Sequence, residues 1–419
     1  MVGDTSRRAL MLASAGVGVA ATGVAAGSRR ARAQQSATIR IGVLTSLSGP
    51  YTAVAGPGSV LAARMAVADF TREHRPGFRV EILEGDIRDR VDVGLNTARS
   101  WLDREGVDAI TDVSNSALTL ALVPLMRERD KVGLFGSSPL TVLTGASCSP
   151  NHVQWVYDTH AVAATAGRAM VEQGGDSWFF VTADYAFGHA LANDTAEFVK
   201  QAGGRVVGTV AFPFPDTTDF SSFLVQAQSS RAKVVGLAAA GANMTNLIKQ
   251  AAEYGVARRG QRLVSLLLVI TDVHALGLET AQGLVLSSPF YWDLNEATRA
   301  FSRRFAPEMR GAMPTMHQAG TYSDVLHYLK AVAAVGPERA RASGRAAVER
   351  MKAIPTDDPL FGRGVVRADG RKIHDFHLFR VKSPAESRYA WDYYERLQTV
   401  PGDAAFRSLE AGGCPLVRG

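Results

Sequence analysis

Short segments rich in β-branched and aromatic residues alternate with amphipathic stretches along most of the chain, and this alternation limits the fold more than any other feature. Thr38–Leu44 reads as a strand. A Ser/Gly/Pro loop follows, then a helix predicted from Gly56 to Arg72, whose Leu61, Ala62, Met65, Ala66 and Phe70 fall on one buried stripe. The cycle repeats with strands at 78–83, 107–113 and 131–135 and helices at 91–104 and 116–128. A second series starts near Thr159. It has helices at 160–173, 187–201, 220–229 and 243–254, and strands at 178–182, 205–212, 234–240, 263–270 and 283–288. Continuous apolar runs such as Trp178–Val181 and Leu266–Val269 predict strands covered on both faces. Alternating strands and helices of this kind give parallel sheets in a layered α/β fold. Two such series exceed what one sheet ordinarily holds, so two doubly wound lobes are expected. The rest is read as helical over 295–330, with strand-like pieces at 374–381 and 389–397.

The first 33 residues stand apart. Arg7 and Arg8 are adjacent, an uncharged Ala/Gly/Val run follows to Gly27, and Ala31-Arg32-Ala33 ends the segment. This pattern predicts an export signal of twin-arginine type, removed after about Ala33, and thus a periplasmic protein. A membrane-anchoring helix is the competing reading, but the run has little Leu, Ile or Phe to drive insertion. The segment holds five arginines and one aspartate, so its removal takes +4 from the formal charge of +6. The remaining chain is nearly neutral, and no nucleic-acid partner is expected. Cys148 and Cys414 are the two cysteines. In an oxidising compartment they read as one disulfide, with two buried thiols as the other possibility. Prolines and polar neighbours place both in exposed loops.

In doubly wound sheets, ligands bind beyond the carboxyl ends of the strands. The loops there carry small hydroxyl residues: Ser46 and Ser48, Ser114-Asn115-Ser116, and Ser137-Ser138. Serine hydroxyls and the free N–H groups of a helix start together form a carboxylate receptor. Ordinary helix capping explains any one of these loops equally well.

Several pieces, taken in order, resemble the leucine/isoleucine/valine-binding proteins, the extracytoplasmic solute receptors of ABC importers. They are Ile39-Arg-Ile-Gly-Val-Leu-Thr-Ser-Leu-Ser-Gly-Pro50, Gly106-Val-Asp-Ala-Ile110, Thr182-Ala-Asp-Tyr-Ala-Phe-Gly188, Gly203-Gly-Arg-Val-Val-Gly208, Thr217-Thr-Asp-Phe-Ser221 and Ala251-Ala-Glu-Tyr-Gly255. The resemblance spans nearly the whole chain from Thr38. It implies two Rossmann-like lobes joined by a three-strand hinge, the type I periplasmic binding protein fold. The expected lobes are 38–158 with 289–365, and 159–288 with 366–419. The resemblance also implies that Ser114, Asn115, Ser116, Gly136, Ser137 and Ser138 hold a ligand carboxylate. Asp272 stands where the family places the acid that meets an amino acid's ammonium, and capping of the next helix is its alternative use.

The chain departs from the amino-acid-binding pattern. Pro139 follows Ser138 where a threonine is usual, Phe187 takes an aromatic position with Tyr185 before it, and Ala53–Gly56 replace larger residues while Tyr51 lies upstream. These changes suit a flat aromatic acid stacked on Tyr or Phe. Tyr291 and Trp292 can line the cleft, sit in the hinge or pack in the core. No nucleophile elbow or phosphate loop occurs, so neither catalysis nor a cofactor is expected. His374 and His377, three apart on a strand, point to opposite faces, and no metal site is expected. The resulting expectation is a monomeric binding protein. It captures a small carboxylate-bearing solute such as a branched-chain or other amino acid, with an aromatic carboxylate lacking an ammonium group as the alternative, and delivers it to an ABC permease. A ligand-sensing receptor is the rival class.

Overall fold

The computed structural model describes residues 37–256 and 260–417. The predicted export signal lies outside the described residues. Among the described residues no helix is long and apolar enough to cross a membrane.

The first lobe is built on five parallel strands: β1 (Thr38–Thr45), β2 (Arg79–Asp86), β3 (Ala109–Asp112), β4 (Val132–Phe135) and β5 (His152–Gln154). They lie in the order β2-β1-β3-β4-β5. The crossovers are α1 (Gly56–His74), α2 (Val91–Ser100, continued by a π turn to Glu105) and α3 (Ser116–Glu128). Ile39, Ile41 and Val43 of β1 are fully buried, as a central parallel strand requires.

The second lobe repeats the design. Its elements are α4 (Thr159–Glu172), β6 (Ser177–Ala183), α5 (Ala186–Gln201), β7 (Arg205–Phe212), α6 (Ser221–Ser229), β8 (Val234–Ala238), α7 (Gly241–Glu253) and β9 (Arg262–Ser265). The parallel order is β7-β6-β8-β9.

Two predicted strands differ. The run expected to be a strand to Ile270 leaves the sheet after Ser265, where its pairing with β8 ends, and α8 (Ile270–Leu276) follows. Leu266–Val269 are a buried connection, and nothing in their composition separates burial in a loop from burial in a strand. The strand expected at 283–288 is β10 (Val285–Ser288), reached after α9 (Leu278–Ala281); it pairs antiparallel with a late strand rather than extending the parallel series.

After β10 come α10 (Glu296–Phe305) and α11 (Met316–Val335), which packs along α1 and is buried over most of its length. Small antiparallel sheets complete the molecule, one from β11 (Thr356–Asp358), β12 (Gly362–Val366) and β13 (Lys372–Ile373), the other from β10, β14 (Phe376–Val381) and β15 (Tyr394–Val400). The crossover after β5 is held by the buried Arg371 guanidinium, which donates to the carbonyls of Trp155 (3.0 Å) and Tyr157 (2.9 Å). Cys148 and Cys414 are disulfide-bonded with Cα atoms 5.7 Å apart. Both are buried rather than exposed, because the C-terminal turn Leu409–Gly412 packs onto Thr141–Thr144 and covers them. Arg407 adds a 2.7 Å hydrogen bond to the Thr141 carbonyl.

Candidate functional site

The strand orders locate the site before any side chain is considered. Each sheet has a switch point where crossovers leave to opposite sides, between β1 and β3 in one lobe and between β6 and β8 in the other. Ligands of doubly wound sheets bind at such points. At the first, Ser46 and Ser114 meet with their Oγ atoms 2.6 Å apart. At the second, Tyr185 follows β6 and Ala240 follows β8. Both ends open on one narrow cavity, lined by Tyr51, Val54, Ser114, Ser116, Ser137, Pro139, Tyr157, Tyr185, Phe187, Ala240, Leu267 and His317.

Six of the sequence-predicted site residues line it: Tyr51, Ser114, Ser116, Ser137, Tyr185 and Phe187. Five do not. Asn115 caps α3, its Oδ1 accepting from the Leu118 N–H at 3.0 Å and its Nδ2 donating to the Asp89 carbonyl at 3.0 Å. Ser138 lies behind Ser116, its Oγ 3.4 Å away. Gly136 backs onto α11, where an added Cβ would lie 3.0 Å from Asp324. Asp272 turns to the start of its own helix, Oδ2 accepting from the Val269 N–H at 3.0 Å. Tyr291 packs against Phe379 and Tyr394 and donates to the Trp391 carbonyl at 3.1 Å.

Behind the serines stand two buried acids. Ser46 donates to Asp89, and Ser137 donates to Asp112. Burial pushes each carboxyl up to about 6. Asp112 and Val113 both adopt left-handed backbone, with φ of 73° and 54°. That conformation is costly for a β-branched valine, and such strain gathers at functional turns. Here it turns the chain between β3 and α3 and sets Ser114 into the cavity wall.

The opposite wall is aromatic. The hydroxyls of Tyr51 and Tyr185 hydrogen-bond across the cleft. Phe214 stacks on Tyr185 at 4.1 Å and on Tyr51 at 5.4 Å between centroids. Tyr157 meets His317 edge to face, its hydroxyl 3.0 Å from Nε2. Other contacts also join the lobes around the cavity. Ala242 N–H donates to the Pro50 carbonyl at 3.0 Å, Thr271 donates to the Ala53 carbonyl at 3.1 Å, and Arg90 pairs with Asp216 at 3.1 Å.

Tyr157 and His317 were not anticipated. Tyr157 follows β5, a three-residue strand too short to read from sequence, though the rule of loops after strands would have found it. His317 comes from the first turn of α11 and carries no local signal.

Two α/β lobes around an interlobe cavity define a solute-binding protein. The chain belongs to the periplasmic binding protein family, whose model matches residues 38–387. It is a ligand-binding protein of the ABC-transporter type, not an enzyme. A solved periplasmic binding protein from Burkholderia mallei is 41% identical to it, covering 91% of this chain and 99% of that one with a TM-score of 0.85. A branched-chain amino acid ABC transporter periplasmic ligand-binding protein from Burkholderia xenovorans is 35% identical, covering 90% and 99%, with a TM-score of 0.76. An ABC transporter solute-binding protein from R. palustris, solved in complex with benzoate, shares the fold at 20% identity, covering 90% and 99% with a TM-score of 0.75.

Proposed function

We propose that this protein is exported, with removal of residues 1–33 on export, captures a small aromatic carboxylate lacking an ammonium group, and hands it to an ABC permease. One observation carries the choice of solute. The cavity wall combines serine hydroxyls and the N-terminus of α3 with aromatic rings, and among the described residues no acid lines it. A carboxylate finds the Ser116 hydroxyl, which only accepts from Ser138, and the N–H groups of the α3 start, and a ring finds Tyr51, Tyr157, Tyr185 and Phe187 to stack on. An ammonium buried there would touch no carboxylate, since Asp89 and Asp112 are held behind the serines, and an unpaired buried charge is costly. Asp272, the acid the sequence offered for that purpose, is already used by the Val269 N–H. The proposed lobes are 38–158 with 289–365 and 159–288 with 366–419, the tail beyond 402 resting on both α4 and the 141–148 loop.

A branched-chain amino acid is the second reading, favoured by the likeness to the B. xenovorans branched-chain amino acid ABC transporter ligand-binding protein. Thermal melting followed by calorimetry against benzoate, hydroxybenzoates, phenylacetate, leucine, isoleucine and valine separates the two. Stabilisation by an aromatic acid and not by the amino acids is expected. Tight binding of leucine or valine with none of the acids bound would reject the aromatic reading.

A further inference from the structure

The polar groups lining the cavity can be followed one by one. The Tyr51 and Tyr185 hydroxyls bond each other, Ser114 bonds Ser46, Ser137 bonds Asp112, and Ser116 accepts from Ser138. The Tyr157 hydroxyl bonds His317 Nε2. His317 Nδ1 remains, buried and with no partner among the described residues. Imidazole nitrogens of His152, His327 and His374 are likewise buried without a partner, and His317 differs from them in lining the cavity.

The imidazole is neutral, since burial drives its pKa down to about 3 and no acid faces it. A neutral imidazole and a phenol own two polar hydrogens between them, and the bond joining them uses one. If the phenol donates to Nε2, the ring carries its hydrogen on Nδ1. If Nε2 donates to the phenol, the O–H is left over. Either arrangement leaves one donor of the pair without a partner, on two residues that line the cavity. Its position is rigid. Thr315 caps α11, Thr321 Oγ1 donates to the His317 carbonyl at 3.2 Å, and Gly320 lets the helix press against the crossover after β5. A Cβ at Gly320 would lie 2.1 Å from Val156, so only glycine allows that approach.

We infer that the Tyr157–His317 pair is a specificity-determining contact that receives an acceptor oxygen of the bound solute. This rests on the cavity being the ligand site, as proposed above. The acceptor is an oxygen of the carboxylate or of a ring substituent, and the two make different predictions. The pair then discriminates as hydrogen-bonding sites do, by penalising ligands that leave its donor unmet.

The test is calorimetric titration of the wild type, the Tyr157→Phe/His317→Phe double variant and His317→Asn with benzoate, 3-hydroxybenzoate and 4-hydroxybenzoate. The double variant lacks both donors and is expected to lose roughly ten- to hundredfold in affinity. Loss for all three acids assigns the carboxylate as acceptor, and loss for the hydroxy acids alone assigns the ring oxygen. His317→Asn keeps an N–H donor near the position of Nδ1. It is expected to stay within about threefold of the wild type, which separates a lost donor from a damaged fold. Wild-type affinity in the double variant for every acid bound would overturn the inference. Should the wild type take only an amino acid, the aromatic reading fails by itself. The same variants titrated with that amino acid then decide the role of the pair, unchanged affinity overturning it.

Discussion

Tyr51 and Tyr185, 134 residues apart in sequence, share a hydrogen bond that closes the cavity from both lobes. Phe214 stacks on both rings and shields the bond from water. A lost hydrogen bond of this kind costs about 0.5–1.5 kcal/mol. Tyr51→Phe and Tyr185→Phe are each expected to weaken solute binding by roughly two- to tenfold. The double variant should be little worse than either single one, because both remove the same bond. Calorimetry on the three variants checks this, and additive losses would show that the hydroxyls act independently.

Gly241 gives a sharper test of closure. It begins α7 with φ at 57°, and an added Cβ would sit 2.4 Å from the Pro50 carbonyl oxygen of the other lobe. Gly241→Ala is expected to lower stability by only about 1–2 kcal/mol, the cost of a left-handed alanine. It should weaken binding far more than that stability loss suggests, because the lobes cannot meet. Small-angle scattering with saturating solute should show a larger radius of gyration than the wild type under the same conditions.

The Asp272 carboxyl is pushed up to about 7 by burial. A raised carboxyl pKa means the folded chain holds the proton more tightly than the unfolded chain. The stabilisation is therefore full below about pH 4 and is lost as pH rises to about 7. Asp272→Asn cannot ionise and can still accept from the Val269 N–H. It is expected to be more stable than the wild type at pH 8 by up to a few kcal/mol, with the difference vanishing near pH 4. Urea unfolding at pH 4, 6 and 8 measures it. Solute affinity should be unchanged, since Asp272 lies outside the cavity wall.

The Cys148–Cys414 bond joins residues 266 apart and pins the C-terminal turn onto Thr141–Thr144. Cys414→Ser is expected to lower the melting temperature by several degrees, with about 5–6 kcal/mol as the upper bound for so long a loop. The cavity lies elsewhere, so binding should be preserved. A loss of affinity without a loss of stability would show that the tail takes part in closure.

Much of this was legible in the chain. The two series of strands and helices follow from local periodicity, and most predicted elements stand within a few residues of their place. The loops after β1, β3, β4 and β6 supply Tyr51, Ser114, Ser116, Ser137 and Tyr185, as the strand-end rule directs. Where the reading failed, the signal was degenerate. Leu266–Val269 are apolar because they are buried, and burial does not distinguish a strand from a connection. Asp272 and Asn115 have the composition of ligand contacts and the position of helix caps, and in the folded chain each caps.

The sequence alone determined the α/β class, the two series of strands and helices, and the strand ends where a ligand is expected. Each is set by residue order or by neighbours a few positions apart. Tertiary structure decided which side chains meet: Tyr51 with Tyr185 across the cleft, and His317 with Tyr157 across 160 residues of chain. Those pairings depend on how α11 packs against the β5 crossover and how one lobe seats on the other. Packing is fixed by shape and burial over the whole molecule, and no local pattern records it.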